Sequence, residues 1–150
     1  MDIQPELFRH RHPIRVRFHH VDRMHVVHSL RYFFFFEEAR LEYIRNLGLP
    51  VDQGIFVTHD RFFIVRNSCD YFAPAYFDEE LTILTRIAFV RNSSIVFEHV
   101  ALKSDGTLVA RAEHVFVHVD LETDRPARVP EHLREMILAH EGENVEFIEG

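Results

Sequence analysis

Asp22 stands where a carbonyl group could be attacked. It follows the alternating run Ile14, Arg15, Val16, Arg17, Phe18 and precedes a long helix-forming stretch that opens with four phenylalanines at 33–36. The first turn of a helix carries unpaired N–H groups and the positive end of the helix dipole, so a negative oxygen is favoured there. An acidic group beside a carbonyl polarised at that end meets the needs of acyl chemistry: an oxygen nucleophile or a base for water, and donors aimed at the developing oxyanion. Between Asp22 and the helix lie His25, His28 and Ser29. Histidine titrates near neutral pH, so His25 and His28 could orient water, contact a substrate or act as base; they could equally be solvated loop residues. The structural reading of Asp22 is a turn cap or a partner for Arg23, and that of the Ser29 hydroxyl is a helix cap.

The elements that must hold these residues follow from periodicity. Alternation over Ile14, Val16 and Phe18 predicts a first strand ending near His19. With Ser29 as cap, no Gly or Pro up to Leu47 and a stop at Gly48-Leu49-Pro50, one helix is expected over 30–47. Four consecutive phenylalanines advance by about 100° each, so the first half of this helix must be enclosed. Glu37 with Arg40, and Glu42 with Arg45, return charge to the surface at neighbouring helical spacing. β-branched and aromatic runs over 55–71, 80–90, 95–102 and 107–121 predict four more strands, joined by turn residues in antiparallel hairpins. Residues 131–140 read as a terminal helix, and 141–150 as a solvated acidic tail. One domain over 1–150 is expected: an α+β sheet curled around one mostly apolar helix.

Composition narrows the function. At 47% hydrophobic residues, with 15 phenylalanines and no apolar run near the roughly 20 residues that span a bilayer, the chain reads as globular with no membrane segment. A net charge of −7 argues against nucleic acid as partner. A single cysteine, Cys69, and a start lacking a basic, apolar leader point to the reducing cytoplasm. His10 and His12 could share a strand face, but no third ligand accompanies them, so no metal is expected; Cys69 reads as a packed residue.

Four fragments in a joint order carry a resemblance. Val16-Arg17-Phe18 with Asp22-Arg23-Met24, then Phe36-Glu37-Glu38-Ala39-Arg40-Leu41-Glu42-Tyr43 with Gly48, then Asp70-Tyr71 with Pro74 and Asp78, then Arg91-Asn92-Ser93-Ser94, resemble the 4-hydroxybenzoyl-CoA thioesterase-like hot-dog family over residues 14–130. The resemblance implies a five-stranded antiparallel sheet wrapped around one long central helix. It implies hydrolysis of an acyl-CoA thioester without a cofactor, with Asp22 as nucleophile or general base and the backbone amide of Ser29 as oxyanion donor. His25 stands where most relatives have glycine. Arg91, Ser93 and Ser94 match a hairpin that contacts CoA phosphates or pantetheine, and guanidinium suits phosphate. Tyr32 and Phe36 could line an acyl tunnel or simply be core. The family's site lies at a dimer interface, often within a tetramer, so a homodimer or homotetramer is expected. Alternatives on the same scaffold are a thioesterase for acyl carrier protein, a non-catalytic acyl-CoA binder and a dehydratase.

Overall fold

The computed structural model describes residues 3–52 and 60–149. Five long strands, β1 (His10–Arg15), β2 (Arg61–Tyr71), β3 (Glu80–Val90), β4 (Ser94–Lys103) and β5 (Leu108–Val119), form an antiparallel sheet in the order β1-β3-β4-β5-β2. A short sixth strand, β6 (Glu146–Phe147), pairs parallel with β3. Helix α1 (Arg31–Leu47) lies between β1 and β2 in the chain, and α2 (Glu131–Glu141) follows β5. This is the expected α+β hot-dog arrangement, with one correction. α1 does not fill the sheet's curve alone, because Leu133 and Ile137 of α2 pack with Tyr43 of α1 and Ile87, Ile95 and Phe97 of the sheet.

α1 exposes a charged face and buries Tyr32, Phe35, Phe36, Ala39, Arg40, Tyr43 and Ile44 at spacings of three and four. It ends where Gly48 takes φ 99°, a left-handed conformation that glycine adopts without steric cost, and its N–H bonds the Arg45 carbonyl. Enclosure of the four phenylalanines is incomplete: Phe34 is 59% exposed. Glu42 pairs with Arg45 as the spacing predicts, but Arg40 turns inward and Glu37 acts on it only through space.

β1 starts earlier than the alternation suggested, at His10, and stops at Arg15; residues 18–20 form a 3-10 turn with Phe18 exposed. Pro13 inside β1 is tolerated because β1 ends the strand order and needs one ladder only. Of the strand expected from 55 onward, 55–59 lie outside the described residues, and β2 accounts for the rest. The tail read as solvated is anchored: Glu141 is fully buried, accepting from the Tyr43 hydroxyl at 2.5 Å and the Ile87 N–H at 2.9 Å, and Ile148 N–H bonds Val90.

Candidate active site

Asp22 and Ser29 are carried on one small hairpin. Val21 bridges Val27, the Asp22 N–H donates to Val26 O at 2.9 Å, and the His28 N–H donates to His20 O at 3.0 Å. The hairpin is tied to the segment between β2 and β3 by a Val26–Tyr76 bridge and by Val27 N–H to Ala75 O at 2.9 Å. β-branched Val21, Val26 and Val27 suit those bridges, and half-buried Val21 and buried Val27 join the core beneath.

Within the turn, the Asp22 carboxylate accepts the Met24 N–H through Oδ1 at 2.7 Å, an Asx turn. Oδ2 accepts no bond from the described residues. The turn closes through His25, whose N–H donates to Asp22 O at 3.0 Å and whose φ is 64°. That left-handed conformation is the physical reason glycine suits this position, and His25 occupies it at a modest steric cost. His25 itself is exposed.

The start of α1 differs from the expected cap. The N-cap is Leu30, without a side-chain cap bond, and the Ser29 hydroxyl caps nothing among the described residues. His28 takes that role: its Nδ1 accepts the Leu30 N–H at 3.2 Å, and its carbonyl accepts the Arg31 N–H at 2.8 Å. Because a backbone N–H can only donate, Nδ1 must carry a lone pair, so neutral His28 presents Nε2–H outward as a donor. On the other side of the same peptide, the Tyr71 hydroxyl donates to Ser29 O at 2.7 Å. The 29–30 peptide is therefore held at both its oxygen and its nitrogen. The neighbouring Ser29 N–H donates to no acceptor among the described residues, and Ser29 is an exposed residue. A carboxylate oxygen and a backbone N–H just ahead of a helix, both without a partner among the described residues, thus share one bridged hairpin.

Tyr71 is a residue to which sequence reasoning assigned no role beyond its place in the resemblance; its only signal was a tyrosine where β2 ends. Burial and the neighbouring Cys69 push its hydroxyl up to about 12, so it stays a donor at neutral pH. Tyr32 is buried against Tyr71 at 5.4 Å between ring centroids, and Phe36 is fully buried, stacked on His99 at 5.1 Å. In the single chain both are core.

Arg91, Ser93 and Ser94 form the turn between β3 and β4, closed by Arg91 N–H to Ser94 O at 2.8 Å, with the Arg91 guanidinium 5.7 Å over the Phe89 ring. β3 has 11 residues, and its Glu80 end is the one tied to the Asp22 hairpin by way of Val16, Ala75 and Glu79. Along a strand rising about 3.3 Å per residue, Arg91 lies about 35 Å from that end. One protomer does not bring the two together. His10 and His12 do not converge on a common ligand either: His10 faces Asn46 and His12 pairs with Glu38, and among the described residues no cluster of metal-ligating groups exists. Cys69 is half-buried, packed against the core.

This fold is that of the hot-dog thioesterase class. The sequence pattern of the Thioesterase-like superfamily matches residues 16–137, and the chain belongs to that superfamily. It is 32% identical over 120 residues to the acyl-CoA thioester hydrolase YbgC of Escherichia coli O6:H1, covering 80% of this chain and 89% of that protein. It is 32% identical over 127 residues to the long-chain acyl-CoA thioesterase FadM of Escherichia coli K12, covering 83% and 93%. A thioesterase from Thermus thermophilus, solved as a complex with coenzyme A and Zn, superposes with a TM-score of 0.80 at 28% identity over 92% of this chain and 98% of that one. No helix among the described residues is long and apolar enough to cross a membrane.

Proposed function

We propose that the protein hydrolyses acyl-CoA thioesters, with Asp22 as nucleophile or general base and the Ser29 amide as oxyanion donor. The observation that carries the reading is the pinned 29–30 peptide beside an N–H with no acceptor among the described residues, on the same hairpin as the Asp22 carboxylate. As base, Asp22 takes a proton from water while the oxygen adds to the carbonyl carbon. The carbonyl becomes an oxyanion held by Ser29 N–H, the C–S bond breaks, and CoA leaves as the thiol with that proton. As nucleophile, an Asp22 oxygen adds to the carbonyl and expels the thiolate, leaving a mixed anhydride that water opens to acid and free Asp22. In this reading His28 Nε2–H donates to the carbonyl or leaving sulfur; the engagement of Nδ1 by the Leu30 N–H argues against His28 as base and so disfavours the dehydratase alternative.

A homodimer belongs to this proposal. β2 ends the strand order and exposes Phe63, Ile64 and Val65, at 50, 42 and 60%. Met24, Leu30 and Phe34 around the hairpin are exposed too. If β2 pairs with its two-fold mate antiparallel, the Tyr71 end of one strand meets the Arg61 end of the other. Arg61 pairs with Val119, and His118 N–H bonds Ser93 O, so the 91–94 turn sits at that end. Two-fold pairing therefore carries the partner subunit's Arg91 toward the Asp22 end, where a CoA phosphate needs it. A reducing cytoplasm is the proposed setting, on the single unpaired Cys69. Comparing release of free CoA with release from acyl carrier protein tests the substrate: turnover of carrier-bound thioesters alone overturns the CoA reading.

A further inference from the structure

α1, α2 and the inner face of the sheet line a partly open cavity of about 70 Å³, and none of its described lining residues belongs to the Asp22 hairpin. Among the described residues its wall is hydrocarbon, with Ile44, Leu47, Phe62 and Ile137 prominent, except for two charged groups, Arg40 and Asp60. Asp60 is already engaged, its Oδ2 lying 2.7 Å from His132 Nε2. Arg40 makes no hydrogen bond or ion pair among the described residues. It is only 9% exposed, its Nη1 is buried with no hydrogen-bond partner among those residues, and its guanidinium lies 4.8 Å over the Phe116 ring. The Nε2 atoms of His99 and His114 are likewise buried with no partner among the described residues, the two rings 5.1 Å apart.

A buried cation with a donor left unpaired among the described residues is a poorer solution for the empty protein than an apolar side chain of the same volume. Burial lowers the Arg40 pKa to about 10, and Glu37 opposes that fall, so the group still carries its charge at neutral pH. The cavity has room for about five to seven water-sized spheres, the span of one ring or a short aliphatic chain. We propose that it is a binding pocket for a carboxylate on an apolar body, the carboxylate held by Arg40 and the ring or chain packed against Ile44, Leu47, Phe62 and Ile137. A guanidinium offers parallel donors that match the two carboxylate oxygens. Such a carboxylate has two sources in this chemistry: the free acid that thioester hydrolysis releases, or a second carboxyl at the far end of an acyl group. The inference does not depend on the proposed catalysis, because binding is read directly.

The test titrates the full chain with benzoate and hexanoate, and with the neutral isosteres benzamide and hexanamide, by calorimetry, in wild type, Arg40→Met and Arg40→Lys. Wild type binds the acids at least tenfold tighter than the amides, Arg40→Met binds both alike, and Arg40→Lys keeps part of the preference. Methyl resonances of Leu47 and Ile137 shift on titration. Met fills the site without a charge, so Arg40→Met unfolds at the same temperature as wild type or higher, which separates lost binding from lost fold. No acid binding by wild type, a preference that survives Arg40→Met, or shifts confined to residues 20–29 overturns the proposal. Selective loss of ω-carboxyacyl-CoA hydrolysis in Arg40→Met assigns the acyl carboxyl as source. Loss of inhibition by free acid, with hydrolysis unchanged, assigns the product. If no acyl-CoA is cleaved, the calorimetry still decides the pocket.

Discussion

Replacing Ser29 by proline and by alanine separates the backbone from the side chain. Ser29→Ala keeps the N–H and removes a hydroxyl that caps nothing among the described residues, so activity should stay within about twofold of wild type. Ser29→Pro removes the N–H as well as the hydroxyl, so its difference from Ser29→Ala reports on the N–H. Since that N–H donates to no described acceptor, no bond among the described residues is lost, and proline is tolerated just ahead of a helix. What is lost is one oxyanion donor, worth about 10²–10³ in kcat, or roughly 3–4 kcal/mol of transition-state stabilisation. The proline ring also restricts His28, so helix content and Tm are followed by circular dichroism, and thiol release from acyl-CoA is measured at matched folded content. KM should change little, because the donor acts on the oxyanion more than on the ground-state carbonyl. An equal fall in both variants would assign the role to the hydroxyl, and a fully active Ser29→Pro would refute the oxyanion assignment.

Other perturbations give distinct readouts. Tyr43→Phe removes a buried donor from Glu141 and should cost about 1–3 kcal/mol, read as a Tm lower by about 2–4 °C for each of them. Burial lowers His114 to about 4 and pushes His99 down too. The unfolded chain therefore takes up protons below about pH 6.5 while the folded chain does not until near 4, so stability falls on acidification through that window. His114 alone contributes about 3 kcal/mol across it; urea unfolding at pH 7.5 and 5 measures the slope, and His114→Gln should flatten it. Val65→Asp places a charge on the exposed edge strand; light scattering should show half the mass and the assay a loss of thiol release with the monomer fold intact.

Legibility in the sequence tracked how local each signal was. β3, β4, β5 and α2 fell within two residues of their expected bounds because hydrophobic runs and turn residues at 91–94 and 103–106 are local facts. β1 was misplaced because its inward residues are His10 and Ile14, with Pro13 between them, a pattern that reads as polar until the edge position is known. The acidic tail looked solvated since nothing near Glu141 in sequence shows that Tyr43 and Ile87 N–H wait for it. Arg40 reads as a surface partner of Glu37, although its spacing from Phe36 and Ile44 is that of the buried stripe; that spacing was the available signal, and charge overrode it. For the site, Asp22 and the helix start were visible as residue types in order. The Tyr71 bond to the Ser29 carbonyl was not, because it joins residues that meet only once the sheet has formed, whereas the His28 bond to the Leu30 N–H is local and was masked by the expectation that Ser29 caps the helix.

Thiol release from aryl-, short-, medium- and long-chain acyl-CoAs by wild type and Asp22→Asn bears most directly on the catalytic assignment. Asparagine keeps the Oδ1 that accepts the Met24 N–H, so the turn survives while the nucleophile or base is gone. The account predicts release by wild type that falls by about 10²–10⁴ in the variant at matched folded content. Undiminished release from Asp22→Asn, or none from a wild type that binds acyl-CoA, would contradict it.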